Sequence, residues 1–384
     1  MALLHDLKVS RLHTKDHHTR TSESRSPVHT KIGVPTYHTG CFLRFSNRRR
    51  GNIPQSQEAR SVKKRDLLLF ATSTGGVNAL SRVLKGLVLP PRVSVYIVLH
   101  RFRSSFSTQD DPVARSLSRT TGLQIEVARD GAPIESGKIV LAPGDSHLIL
   151  LDDKIRLGRG PRENRHRPSA DVLFRSAALF HAGRSVGVVL TGATHDGASG
   201  LLKLLQAGGL AAVQCPDDAL SPTMPQAALE LVPSARTATL TEMPGTLSQL
   251  LEEDVTKSER PSPMEIKELT FSITPKSDIQ TEQEAGNLTP VSCPECGGGL
   301  WQLEDPLRFR CHTGHAYTRE DLLQAQDQEV ERALYVALRM LEERVYFLKK
   351  YDFDVGGAAL ADRLAEAEEQ VKLLRKVLLG EAKS

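Results

Sequence analysis

Three polar side chains that can share one hydrolytic reaction stand at or just beyond the ends of short apolar runs: Ser73, His100 and Asp196. A serine hydroxyl is a poor nucleophile until a neighbouring imidazole accepts its proton. The imidazole in turn needs a carboxylate, which fixes its tautomer and stabilises its protonated form. If the three runs are strands of one parallel sheet, their carboxyl ends meet at one edge. We therefore predict a nucleophile, a base and an orienting acid there.

Ser73 lies in a strand-to-helix turn. The apolar run Leu67–Ala71 predicts a buried strand, and Ala79, Leu80, Val83 and Leu84 share one face of a following helix. Two glycines after Ser73 allow a sharp turn and a close approach to a ligand. The start of the helix offers unpaired N–H groups to an anion. The alternative interpretations are a phosphate-binding turn and a purely structural one.

The chain from Asp66 to about Leu240 alternates apolar strands with amphipathic helices. Val93–Leu99 and Ser185–Leu190 predict buried strands, and Ser169–Phe180 predicts a helix. Repeated strand–turn–helix units favour an α/β fold with a doubly wound, mostly parallel sheet. In such sheets, sites form beyond the carboxyl ends of the strands.

Composition and charge limit the classes of partner. The 384 residues suggest two or three domains, and the formal net charge is +4. Residues 1–65 hold 14 Lys and Arg against 4 Asp and Glu, so we predict a disordered basic arm there. The remainder is mildly acidic, which argues against a nucleic-acid partner. Because there is no apolar run of about 18 residues, we expect no membrane span.

Four residues near the C-terminal end have the spacing of a zinc site. Cys293 and Cys296 form one C-x2-C pair, and Cys311 and His315 follow after a short loop. Two pairs of ligands can wrap one tetrahedral ion, so we predict a closed, structural zinc site. The alternatives are His312 in place of His315, or free cysteines in a loop. The odd number of cysteines favours a reducing, cytoplasmic setting over a disulfide framework.

The C-terminal third divides into three predicted segments. Residues 251–290 are polar and predict a linker, and residues 291–320 hold the predicted zinc module. Residues 321–384 predict a helical hairpin, because leucines recur there at heptad-like spacing. Such a stripe can pair the two helices with each other, or mediate self-association or contact with a partner.

Several ordered sequence blocks carry a resemblance to a known family. Thr72–Leu80 (TSTGGVNAL), Arg167–Ala178 (RPSADVLFRSAA) and Leu190–Leu201 (LTGATHDGASGL) resemble motifs of the CheB-type protein-glutamate methylesterases of bacterial chemotaxis. Ile97–His100, residues 142–147 and Met224–Ala228 agree as well. We therefore expect a catalytic domain of this type over residues 66–250. The cysteine-containing segment is similar to zinc-ribbon-like tails on some proteins of this type.

The resemblance implies a reaction and roles for residues. Ser73 matches the family nucleophile, His100 the base and Asp196 the triad acid. The implied reaction is hydrolysis of glutamate γ-methyl esters on a chemoreceptor-like protein through an acyl-enzyme, without a cofactor, and deamidation of glutamine is a related activity. Two alternatives stay open: a hydrolase of another ester or amide, and a non-catalytic signalling scaffold that binds partners through the zinc module and the helices.

The sequence also departs from the family pattern. Leu99 stands where the family usually has glutamine, and Ala193 replaces a methionine that lines the oxyanion region. We expect the loss of this methionine to alter the rate or the substrate range, and not the triad. We expect His195, beside the triad acid, to face solvent. Residues 1–65 are too short and too basic for the receiver domain of typical members, so we expect no control by aspartyl phosphorylation.

Overall fold

The computed structural model describes residues 64–101, 111–255, 263–273, 286–303, 308–351 and 357–379. The predicted basic arm lies outside these ranges except for Lys64 and Arg65. About half of the predicted linker, residues 256–262 and 274–285, also lies outside them, and the descriptions below concern the described residues.

A parallel sheet forms the centre of the structure. Within the described residues seven of its strands follow the order β3-β4-β2-β1-β7-β8-β9, and every neighbouring pair is parallel. Strands β5 and β6 form a separate antiparallel hairpin. The bounds are β1 Leu67–Thr72, β2 Ser94–Leu99, β3 Ile125–Val127, β4 Ile139–Leu141, β5 His147–Leu151, β6 Lys154–Gly158, β7 Ser185–Val189, β8 Leu210–Gln214 and β9 Arg236–Ala238.

Helices cover both faces of this sheet, so the predicted doubly wound α/β fold is confirmed. Side chains of β1 alternate between the two cores: Leu69 packs in the core with α3 and α4, and Phe70 packs in the core with α1 and α6. This burial on both faces explains why the strands read as continuous apolar runs. The helices are α1 Gly76–Gly86, α2 Pro112–Thr121, α3 Ala170–His181, α4 Ala198–Gln206, α5 Thr223–Leu231 and α6 Met243–Leu251.

The order of the strands places a topological switch at the centre of the sheet. Strand β1 pairs with β2 on one side and with β7 on the other. The chain runs outward from β1 through β2, then returns past β1 to β7. Ser73, His100 and Asp196 follow these three central strands, so the sheet brings their backbones to one edge.

A second, antiparallel sheet contains the cysteines. Its strands are β10 Gly286–Ser292, β11 Gly299–Leu303, β12 Arg308–Cys311 and β13 Ala316–Thr318, in that order. Helices α8 (Arg319–Lys350) and α9 (Gly357–Leu378) follow and pack against each other. Ion pairs join them at Arg375–Glu342 and Lys349–Glu368, each at 2.6 Å. None of the described helices is both long enough and apolar enough to cross a membrane.

The segment predicted as a linker is partly helical, which corrects that prediction. Helix α7 (Pro263–Ile273) buries Leu269 against Ile149 of β5 and Val172 of α3, and the buried Phe271 ring lies under the Arg310 guanidinium. Its end lies against the chain after β6, where the Gly160 N–H donates to Ser272 O at 3.1 Å. The prediction failed because the mean polarity of residues 251–290 conceals one short helix with a buried apolar face.

Candidate active site

Ser73 lies in a turn that only small residues can form. Its N–H donates to Thr191 O at 3.0 Å, which joins the end of β1 to the loop after β7. Gly75 has φ +79°, in the left-handed region that favours glycine. A Cβ at Gly76 would lie 2.7 Å from Leu99 Cδ1, so the start of α1 approaches β2 too closely for a side chain.

Two amides of this turn are available to an anion. Among the described residues, the N–H groups of Thr74 and Gly75 donate to no protein group. They precede the first residue of α1, where the helix dipole is positive. Donors of this kind, beside a nucleophile, can stabilise the oxyanion of a tetrahedral intermediate.

His100 and Asp196 form a buried pair. The imidazole Nε2 lies 2.7 Å from Asp196 Oδ2, and the two side chains are 4% and 0% exposed. The other ring nitrogen, Nδ1, is buried without a hydrogen-bond partner in the described part of the chain. An Nε2–H donated to the carboxylate leaves Nδ1 as the proton acceptor, which is the tautomer that a general base needs. Ser73 lines the same cavity as this imidazole.

Asp196 accepts hydrogen bonds on both carboxylate oxygens. Oδ1 accepts from Ser169 Oγ at 2.7 Å and from Asn164 Nδ2 at 3.0 Å, and Oδ2 accepts from the Ala170 N–H at 2.6 Å. Burial alone would raise the pKa of Asp196, but the hydrogen bond and the electrostatic attraction of the His100 ring, together with the hydrogen bond from Ser169, lower it below its ordinary value. The acid is therefore held as a carboxylate.

A second buried carboxylate, Asp171, lies beside the first. It accepts from the N–H groups of Gly197 at 3.0 Å and Gly200 at 2.6 Å, and thereby holds the loop that carries Asp196 against α3. Burial and the negative charge of Asp196 raise the pKa of Asp171 to about 7. The sequence reasoning did not single out Asp171, although it lies within the RPSADVLF block.

His166 is a further residue that the sequence reasoning missed. Its ring stacks on His100, with centroids 3.8 Å apart and planes 9° from parallel. Burial, and then the repulsion that a protonated His100 would exert, lower the pKa of His166 to about 3, so it stacks as a neutral ring. Its position directly before the family block starting at Arg167 was the only sequence signal for it.

The cavity that Ser73 and His100 line has a volume of about 890 Å³ and a charged lining. Ser73 and His100 lie in it together with arginines from the loop before α3. The opposite wall comes from the cysteine-containing sheet and from α8. The remaining lining residues are Arg101, Asp145, Arg162, Arg165, His166, Arg167, Pro294, Glu295, Ala325, Gln328, Glu329 and Arg332.

The predicted zinc ligands lie together. The ligand atoms of Cys293, Cys296, Cys311 and His315 are all within 4.8 Å of one another. Cys296 Sγ and Cys311 Sγ are 3.6 Å apart, and His315 Nδ1 is 3.6 Å from Cys311 Sγ and 3.7 Å from Cys293 Sγ. Zinc–sulfur bonds of about 2.3 Å place tetrahedral neighbours about 3.8 Å apart, so the spacing fits zinc. His315 Nε2 also lies 3.4 Å from Glu295 Oε2, and histidines that bind a metal commonly donate their other ring N–H to a carboxylate in this way.

His312, the alternative ligand, is not part of this group of described residues. A Cβ at Gly298 would lie 2.5 Å from its Nδ1, so His312 packs over that glycine instead.

The departures from the family pattern have distinct surroundings. Leu99 is buried and packs behind the serine turn against Gly76. Ala193 is exposed beside Gly192, where a Cβ would lie 2.9 Å from Ser73 Cβ. The expectation that His195 faces solvent is wrong: its Nδ1 lies 3.2 Å from Asp321 Oδ1 at the start of α8. That hydrogen bond raises the pKa of His195.

Comparison with known proteins agrees with the sequence motifs. Residues 68–247 match the CheB methylesterase family. A protein-glutamate methylesterase/protein-glutamine glutaminase of a group 3 operon in Rhodopseudomonas palustris is 31% identical over 195 residues, which are 50% of this chain and 52% of that protein. A Leptospira interrogans protein, provisionally named for the same two activities, is 36% identical over 166 residues, 43% of this chain and 84% of that protein.

A solved structure is also similar. The CheB methylesterase catalytic domain of Thermotoga maritima is 26% identical, with a TM-score of 0.43, and the match covers 49% of this chain and 100% of that one. The chain spans about half the length of the Rhodopseudomonas palustris relative and most of the length of the Leptospira interrogans relative.

Proposed function

Because this chain belongs to the CheB methylesterase family, we propose that it hydrolyses glutamate γ-methyl esters of a chemoreceptor-like protein, with glutamine deamidation as a second activity. The observation that carries the proposal is the buried His100–Asp196 pair: the His100 Nδ1 has no hydrogen-bond partner among the described residues, and His100 lines the same cavity as Ser73. A scaffold that had lost catalysis would have no need of a buried base and its carboxylate. The non-catalytic alternative is therefore the weaker one.

The first half of the proposed reaction forms an acyl-enzyme. Ser73 Oγ attacks the ester carbonyl carbon while its proton passes to His100 Nδ1. The N–H groups of Thr74 and Gly75 stabilise the negative oxygen of the tetrahedral intermediate. The intermediate collapses, the bond to the methoxy oxygen breaks, and the imidazolium returns the proton to give methanol.

The second half releases the glutamate. Water attacks the Ser73 ester, and His100 takes a proton from this water. Collapse of the second intermediate breaks the bond to Ser73 Oγ, which regains its proton from the imidazolium. Asp196, held ionised by its hydrogen-bond donors, stabilises the positive imidazolium in both halves.

We assign a structural role to zinc at Cys293, Cys296, Cys311 and His315. Four protein ligands close the coordination sphere, so no step of the hydrolysis passes through the metal. The thiolates require a reducing compartment, which supports a cytoplasmic location. Exposed apolar side chains on α8 and α9, such as Met340 and Leu373, offer a surface for a partner or for self-association.

The test compares the wild-type chain with Ser73→Ala on three substrates. These are a receptor-type helical protein methylated at glutamate, the same protein with glutamine at those positions, and a small aryl ester. We expect methanol release from the first substrate in the wild type alone. Equal release by both proteins would contradict the methylesterase assignment, and activity on the aryl ester alone would favour a hydrolase of another ester.

A further inference from the structure

The side chain of Asn164 joins the cysteine-containing sheet to the triad acid. Its Oδ1 accepts the N–H of Thr318, the last residue of β13, at 3.0 Å. Its Nδ2 donates to Asp196 Oδ1 at 3.0 Å and to Asp171 Oδ2 at 2.7 Å. Asn164 is 3% exposed, so these hydrogen bonds are shielded from water.

The backbone of Asn164 is held by the same strand. Its N–H donates to Ala316 O at 2.7 Å, and the Ala316 N–H donates back to Arg162 O at 3.4 Å. Asn164 has φ +48°, in the left-handed region, which asparagine tolerates better than most residues. Pairing with β13 therefore fixes both the backbone and the amide of Asn164.

A buried ionic cluster fixes the sheet next to this contact. Glu163 is 1% exposed and pairs with Arg175 of α3 and with Arg308 and Arg310 of β12. Burial would raise the pKa of Glu163, but the three guanidinium groups hold it well below its ordinary value. Removing one partner from such a buried cluster is strongly unfavourable, so the cluster resists separation of the cysteine-containing sheet from α3 and the loop before it.

The metal-ligand pairs lie next to the strands that make these contacts. Cys311 ends β12 and His315 directly precedes β13. The Cys311 N–H donates to His315 O at 3.0 Å, which closes the turn between the two strands. A metal held by both residues would fix this turn, and with it the position of Ala316 and Thr318 against Asn164.

The same module forms one side of the cavity. Pro294 and Glu295, between the first two cysteines, line it together with Gln328 and Arg332 of α8. Asp321 near the start of α8 binds His195, the residue before the triad acid. The module thus contacts the loop that carries Asp196 directly through Asp321, and it reaches Asp196 indirectly through Asn164.

We propose that this C-terminal module, residues 286–303 and 308–351, is a functional part of the active site, and that Asn164 is the positioning residue through which it holds Asp196. The inference rests on the proposed ester hydrolysis at Ser73. It makes the rate of hydrolysis depend on the module's metal. Loss of that metal would disorder β13, release Asn164 and lower kcat.

The first test is Asn164→Ala in the full chain, with Ser272→Ala as the matched control. Ser272 donates a buried 2.8 Å hydrogen bond to Glu163 at the same interface but does not contact Asp196. We expect Asn164→Ala to lower kcat for a small aryl ester by about 10- to 100-fold, because misplacement of a catalytic group by about 1 Å costs that much. The KM should stay within about twofold, and Ser272→Ala should lower Tm but leave kcat unchanged.

The second test removes the metal with a chelator. Zinc content and the near-ultraviolet circular dichroism of Trp301, in β11, report the state of the module independently of activity. We expect kcat of the wild type to fall to the level of Asn164→Ala, and chelation to lower kcat of Asn164→Ala no further. A metal-free wild type with full kcat would overturn the inference, and so would an Asn164→Ala variant as active as Ser272→Ala.

The two tests separate this inference from the proposed function. Ser73-dependent hydrolysis of the aryl ester is sufficient to measure the role of Asn164. If the methylated protein is not a substrate while the aryl ester is, the methylesterase assignment fails and the role of Asn164 is still measured.

Discussion

Replacing Asp196 with asparagine exchanges one carboxylate oxygen for an NH2 group where the surrounding groups are hydrogen-bond donors. His100 Nε2 and the Ala170 N–H face Oδ2, and Ser169 Oγ and Asn164 Nδ2 face Oδ1. An NH2 group at the Oδ2 position would favour the other tautomer of His100, with the proton on Nδ1. That ring could no longer accept the proton of Ser73.

The expected effect on catalysis is large and the effect on stability is modest. Loss of the correct tautomer in a serine triad lowers kcat by about 10⁴-fold, and we expect a loss of about 10³- to 10⁴-fold here. A buried donor left facing another donor costs about 1–3 kcal/mol of unfolding free energy. Removing the negative charge beside Asp171 offsets part of this cost, because that charge contributes to raising the pKa of Asp171 to about 7.

The assay is methanol release at saturating methylated substrate, with unfolding by denaturant measured on the same preparation. Asp66→Asn is the matched control, because Asp66 pairs with Arg184 at the opposite end of β1. The control should keep the kcat of the wild type. A folded Asp196→Asn variant within tenfold of the wild type would refute the assignment of Asp196 as the orienting acid.

Three further expectations test other parts of the structure. Gly75→Ala should lower the unfolding free energy by about 1–3 kcal/mol in denaturant titrations, because φ is +79° and a Cβ would lie 2.8 Å from Leu220 Cδ2. An unchanged denaturation midpoint would count against the turn geometry. Purified wild type should contain about one equivalent of zinc by elemental analysis, and Cys296→Ser should contain less than half an equivalent, since tetrahedral structural sites need four ligands. Equal zinc contents in the two proteins would exclude this cluster as the zinc site. Burial would raise the pKa of Glu268, but Arg308, Arg175 and Arg310 lower it to about 2. The ionised Glu268 therefore stabilises the folded protein above about pH 4.5, and this contribution is lost as the pH falls towards 2. Glu268→Gln should flatten that part of the profile of Tm against pH, and a profile parallel to that of the wild type would show that Glu268 does not contribute.

The sheet could be predicted from the sequence because its strands are buried on both faces. Each central strand therefore appears as an unbroken apolar run, and Ser73 and His100 directly follow two of these runs. Helix α7 could not be predicted in this way. Its buried Leu269 lies in a polar stretch, and its packing partners Ile149 of β5 and Val172 of α3 are distant in the chain.

The surroundings of the catalytic residues were less accessible to sequence reasoning. Asn164 and His166 lie in an irregular loop without periodicity, and their roles depend on contacts with Thr318 and His100. The prediction for His195 failed for the same reason, because its partner Asp321 is 126 residues away in the chain. Spacing along the sequence gives no information about such contacts between distant segments.

The central claim is that Ser73 performs the ester hydrolysis. Titration with a serine-directed organophosphonate tests it most directly, with the labelled residue located by peptide mass spectrometry and methanol release measured at each point. We expect a single adduct on Ser73 and a loss of activity in proportion to the labelled fraction. Full methanol release from protein that is completely labelled at Ser73 would contradict it.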